Sequence, residues 1–165
     1  MNIPYISAEE VRKNLSMEDA IQCTENVYKL KSQDKTVVWP TIFYEFDSGH
    51  ADMDIKSGYL PEQHIFGHKT VAFMEANVQK GLPDLVGLIA VFSSETGMPL
   101  GLVDGSSVTG MRTGAAGGSH WCKISGQKEF PERFDRRHRQ SGTFPDCCVA
   151  EGVSHAGNDP DRQSA

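Results

Sequence analysis

The chain has 165 residues, enough for one domain with a modest core. Its 16 Lys and Arg against 22 Asp and Glu leave a formal charge of −6, which argues against nucleic acid or an anionic membrane as the main partner. No apolar run approaches the roughly 20 residues of a membrane span, and the N-terminus lacks a basic-then-apolar signal pattern, so a soluble, cytoplasmic protein is expected.

Ser7-Ala-Glu-Glu10 fits a capping box, with Ser7 as N-cap and Glu10 reaching back. It predicts a short helix to about Leu15. Ser16-Met-Glu-Asp19 is a second start signal with acidic residues in the first turn. Ile21, Val27, Tyr28 and Leu30 then form an apolar stripe out to about Lys31. The pattern next changes to that of strands. Val37-Val38-Trp39 and Ile42-Phe43-Tyr44 are rich in β-formers, interrupted by Pro40. Ala51, Met53 and Ile55 alternate with Asp52, Asp54 and Lys56, as in a half-buried strand. Ile65 to Met74 and Val86 to Ser93 are further strands. Ser94-Glu-Thr-Gly97 reads as a hairpin turn, and Pro99 to Val103 as the returning antiparallel strand. Asp104-Gly105-Ser-Ser107 leads into a helix through Val108, Met111 and Ala115. The expected fold class is α+β, with two N-terminal helices, a mostly antiparallel sheet and a last helix.

That last helix breaks off. From Ser119 to Ala165 there is no leucine, against eight before it, and three of the four cysteines lie there. No hydrophobic periodicity survives past Gly118. Such a segment has too little apolar surface to offset its ordering entropy, so a disordered tail is expected. Cys122, Cys147 and Cys148 show no Cys-x-x-Cys spacing, and Cys23 lies alone on a predicted helix. They read as incidental thiols, with no metal site.

Two cations stand out by their surroundings. Lys69 lies in Ile65-Phe-Gly-His-Lys-Thr-Val71, a largely apolar strand. A lysine there must pair or lose its proton, because isolated buried charge is costly. Arg112 lies on a helix rich in glycine and alanine, where its planar fork could grip a carboxylate. Taken singly, each also fits an ordinary ion-pair or surface cation. Gly110, Gly114 and Gly118 form a small-xxx-small face suited to close helix packing, and no Gly-Lys-Ser/Thr follows to make a phosphate loop. Lys80-Gly-Leu-Pro83 has the composition of a tight turn.

Several motifs occur together and in order: Phe66-Gly-His-Lys69, Asn77-Val-Gln-Lys-Gly-Leu-Pro83, Glu95-Thr-Gly-Met-Pro99, Leu102-Val-Asp-Gly105 and Val108-Thr-Gly-Met-Arg-Thr-Gly-Ala-Ala116. With Tyr5-Ile-Ser-Ala-Glu-Glu-Val11 and Met53-Asp-Ile-Lys-Ser-Gly-Tyr59, residues 1–118 resemble the N-terminal part of the ornithine cyclodeaminase/mu-crystallin family. The resemblance implies a substrate-binding and dimerisation domain followed by a Rossmann domain, in a homodimer. It implies an NAD- or NADP-dependent ornithine cyclodeaminase (L-ornithine to L-proline and ammonia), a lyase of proline biosynthesis, or a related amino-acid or imine oxidoreductase. A non-catalytic, mu-crystallin-like binder of small molecules is the alternative. By the resemblance Lys69 is catalytic and contacts substrate, Arg112 grips its carboxylate, and Thr113 touches the cofactor. An upstream arginine often completes that grip. Here no arginine stands between Arg12 and Arg112, so Lys56 is the substitute, or else a plain surface lysine.

The family would continue its helix past Gly118 into a strand and Gly-x-Gly-x-x-Ala. This chain does not. Read one nucleotide later, the codons for Phe134 to Thr143 permit Leu-Ile-Val-Gly-Thr-Gly-Asn-Gln-Ala, a buried strand and the nucleotide fingerprint. The same shift from Gly118 to Glu129 permits Ala-Ile-Gly-Ala-Lys-Tyr-Leu-Ala-Arg-Lys, which extends the broken helix. The expectation is a frameshift at or just before Gly118, residues 119–165 out of frame, the Rossmann domain absent, and a chain that is inactive and binds no NAD(P).

Overall fold

The computed structural model describes residues 2–119. The expectations for the tail, including its disorder, its frame and the thiols Cys122, Cys147 and Cys148, lie outside the described residues.

Two capped helices open the fold. Helix α1 (Ala8–Asn14) and helix α2 (Met17–Ser32) each begin with a complete capping box, Ser7 with Glu10 and Ser16 with Asp19. Strand β1 (Tyr5–Ile6) precedes them, and β2 (Val37–Val38), β3 (Ile42–Asp47), β4 (Ala51–Leu60) and β5 (Ile65–Met74) follow. Then come β6 (Leu85–Ser93), β7 (Pro99–Asp104) and helix α3 (Gly105–Gly114), which runs on into a π-helical turn, Ala115–Ser119. The turn at Lys80-Gly81 needs its glycine, because Gly81 sits at φ 68 in the left-handed region.

The strands form one seven-stranded sheet in the order β1-β7-β6-β5-β4-β2, with β3 also paired to β4. Every pairing is antiparallel except β1 with β7. The α+β class and the mostly antiparallel sheet are therefore as expected. Strand β1 was not foreseen: two residues carry no readable alternation, and tertiary pairing alone makes them a strand.

Register sorts the side chains onto two faces. Lys56, Lys69, Ile89 and Val103 are partners in turn across β4, β5, β6 and β7, and so share one face. Helix α3 lies over that face. A Cβ on Gly105 would come 2.6 Å from the carbonyl carbon of Gly87, so only glycine permits this approach. The opposite face bears His68, which is exposed, and Ala90, which is buried. Ile42, Tyr44, Val86 and Leu88 lie on it by register, and all are exposed.

The apolar stripe of α2 is split: Val27 and Tyr28 are exposed, Ile21 and Leu30 are half-buried, and Ala20 is the buried residue. The helix lies on α3 and the π turn rather than on the sheet, and close helix contact selects a small residue. On β4, Met53 and Ile55 share the opposite face, while Asp54 and Lys56 point to the helix-covered side. The polar set of that alternation faces inward, which reverses the usual assignment.

Candidate functional site

The helix-covered face carries a cavity of about 320 Å³, lined by Lys56, Gly58, Gly67, Lys69, Ile89 and Val91 among others. Gly58 and Gly67 are register partners, as are Lys56 and Lys69. A Cβ at either glycine would meet neighbouring backbone, 2.7 Å from Val37 O at Gly58 and 2.5 Å from Ala90 O at Gly67, and both lysines line the cavity.

Lys69 is the centre of this cluster. It projects from the middle of β5, and its Nζ donates a hydrogen bond to Thr109 Oγ1 of α3 at 3.0 Å. Burial lowers its pKa from 10.5 to about 8, helped by the charges of Arg112 and Lys56 and opposed by Asp54. Such an amine exchanges its proton near neutral pH, which an ordinary surface lysine does not. Arg112 reaches the cluster from α3, one turn beyond Thr109, and stays exposed. Lys56 donates to Asp54 Oδ2, and the side chains of the pair are 51% and 24% exposed. Lys56 is thus neither an isolated surface lysine nor a free anion receptor, because its charge is already paired. Thr113 follows Arg112 on α3 and is half-buried.

The structure therefore brings Lys56 and Lys69 to one cavity, with the charge of Arg112 acting on Lys69 from α3. Thr109 and Asp54 are the hydrogen-bond partners of Lys69 and Lys56, and both were missed. Thr109 stands one helical turn before Arg112, and Asp54 stands two residues before Lys56 on the same strand face; that spacing was the available signal.

The one parallel pair, β1 with β7, leads into α3, which Asp104 caps, its Oδ1 accepting from the Ser107 backbone N–H at 2.8 Å. Among the described residues no group of three or more His, Cys, Asp or Glu could hold a metal, and Cys23 is a free, exposed thiol. No described helix is long and apolar enough to cross a membrane.

The sequence profile of the "Ornithine cyclodeaminase/mu-crystallin family" matches residues 4–120. An alanine dehydrogenase of Archaeoglobus fulgidus is 33% identical over 121 residues, which is 72% of this chain and 35% of that protein. The solved structure of an archaeal alanine dehydrogenase dimer with bound NAD superposes with a TM-score of 0.66 at 33% identity, covering 72% of this chain and 36% of that one. The Thermococcus litoralis Δ(1)-pyrroline-2-carboxylate reductase, solved with NADH and L-proline, gives 0.65 at 28% identity over 69% of this chain and 35% of that one. The chain spans about a third of the length of these relatives.

Proposed function

The chain belongs to the ornithine cyclodeaminase/mu-crystallin family, and we propose that its Lys69 cavity is the substrate side of an amino-acid or imine oxidoreductase or cyclodeaminase. The observation that carries this is a depressed lysine near an arginine: Lys69 lines a cavity with Ile89 and Val91 as its apolar wall, and the charge of Arg112 on α3 acts on it. In this reading Arg112 holds the substrate carboxylate through its planar fork. Lys69, neutral in part near pH 8, takes or returns a proton at the nitrogen next to the reacting carbon. The apolar wall receives the side chain and keeps water out. A nicotinamide cofactor, carried by a part of the protein other than the described residues, would supply the hydride acceptor.

Alanine, ornithine and cyclic imines are the substrates to try, since relatives are an alanine dehydrogenase and a Δ(1)-pyrroline-2-carboxylate reductase. The net positive cluster favours a carboxylate ligand over the purely apolar ligand of a non-catalytic binder. Pairing of two copies through the sheet face opposite α3 fits the dimer named for the archaeal relative. The deciding experiment assays a frame-corrected protein with these substrates and with NAD(H) and NADP(H). Turnover that Lys69→Met abolishes supports the reading, and turnover that Lys69→Met leaves intact overturns it.

A further inference from the structure

The Lys69 cavity has a direction. Three rows of residues cross it on the helix-covered face: Lys56, Lys69 and Ile89, then Gly58, Gly67 and Val91, then Leu60 with Ile65. Both lysines therefore stand at one end and aliphatic side chains at the other, about 13 Å away along β5 at roughly 3.3 Å per residue. The glycine row between them is a floor of backbone, whose polar groups are taken up by the ladders on either side.

The charges that line the cavity are of one sign. Lys56 and Lys69 both line it, and the guanidinium of Arg112 adds its field at Lys69. With a pKa of about 8, Lys69 is still largely protonated at pH 7. Asp54 opposes these cations, but Lys56 already engages it, and among the described residues no acidic side chain lines the cavity. A carboxylate is drawn to the lysine end. A second ammonium on the same ligand is repelled there, and further along it meets only Val91, Leu60 and Ile65, which cannot replace its water. We propose that this cavity selects amino acids with an uncharged aliphatic side chain and turns away diamino acids such as ornithine and lysine. The carboxylate lies at the Lys69 end, and the side chain runs over the glycine row toward Leu60 and Ile65. This selection rests on the amino-acid reading of the site and narrows its substrate class.

The test is a titration of the 165-residue chain at pH 7 with L-norvaline and with L-ornithine, followed by amide NMR shifts. The two ligands differ only by the ammonium at the end of the side chain. Wild type should bind norvaline at least about tenfold more tightly, the effect of one uncompensated like charge near a protein surface. Leu60→Glu should cancel or reverse that order, because it gives the second ammonium a carboxylate at the far end. Equal affinity of wild type for the two ligands, or tighter binding of ornithine, would overturn the selection, and that comparison needs no variant. So would a folded Leu60→Glu protein whose preference for norvaline is unchanged. Lys69→Met separates the selection from the reading beneath it. If neither ligand binds wild type, or norvaline binds Lys69→Met unchanged, the amino-acid reading of the cavity falls and the selection with it. If Lys69→Met weakens norvaline but wild type does not prefer it to ornithine, only the selection is wrong.

Discussion

Lys56 and Lys69 stand directly opposite one another across the β4–β5 ladder. Like charges in that position oppose pairing, yet the ladder continues for ten register pairs without interruption. Two things relieve the repulsion. Asp54 neutralises Lys56, and Lys69 gives up its proton more readily than a surface lysine would.

The Lys69 amine should therefore titrate with a midpoint near 8, measurable from its Cε shift in labelled protein. The stability consequence has a definite sign. The unfolded chain holds the proton up to 10.5 and the folded chain releases it near 8, so folding is favoured by rising pH across that window. The benefit is full above 10.5 and lost as pH falls through about 8. Lys69→Met removes the burdened charge, so it should stabilise the fold at pH 7 relative to its effect at pH 10.5. Urea midpoints of both proteins at those two pH values check this; a constant difference would refute it.

Arg112→Met should raise the Lys69 midpoint without restoring 10.5, because burial is the larger cause and the guanidinium the second. The same Cε titration reads it. A fully restored value would make Arg112 the dominant influence, and no movement would place its charge too far away to matter.

Gly105→Ala tests the seat of α3. The added Cβ would meet backbone, 2.6 Å from the carbonyl carbon of Gly87 and 2.7 Å from Leu88 N, and backbone cannot rotate aside. The expected cost is about 1–3 kcal/mol, as for overpacking elsewhere, measured by urea denaturation. Because α3 also carries Thr109 and Arg112, lifting it should raise the Lys69 midpoint as well. A stability loss without that shift would show the helix relaxing along its axis rather than away from the sheet.

These elements differ in how much of them the sequence disclosed. Helices α1 and α2 were legible because Ser7 with Glu10 and Ser16 with Asp19 are local devices, complete within four residues. Strands β5 and β6 were legible from their long apolar runs. Which way β4 faces was not, since alternation gives two sets of residues but not the side on which a helix will lie. The site divides similarly. An apolar strand around Lys69 signals an unusual lysine from one segment alone. Thr109 becomes its partner only when α3 folds back over β5, a contact between residues 40 apart. Asp54 reads as the polar half of a surface strand until the register sets it beside Lys69.

The sheet face opposite α3 should mediate association of two copies. Val86 and Leu88 lie on it two residues apart on β6, and are 49% and 43% exposed. A sheet face with this much apolar surface is unfavourable in water alone. Sedimentation should report a dimer for the wild type and a monomer for the Val86→Glu, Leu88→Glu double variant, with helical content unchanged. Val78→Glu, at a residue 63% exposed outside the sheet, should leave association intact. A double variant that still dimerises would remove the face from the interface.

The frame beyond Gly118 yields the last prediction. A single shift permits both a helix continuation and Gly-Thr-Gly-Asn-Gln-Ala, in the order that a βαβ nucleotide site requires. Sequencing the gene through the Gly118 codon should therefore find an alternative frame that continues as a Rossmann domain. The frame-corrected protein should bind NAD(H) or NADP(H) in a calorimetric titration, and the 165-residue chain should not. Micromolar binding by the 165-residue chain would refute the proposal, because the fingerprint lies only in the shifted frame.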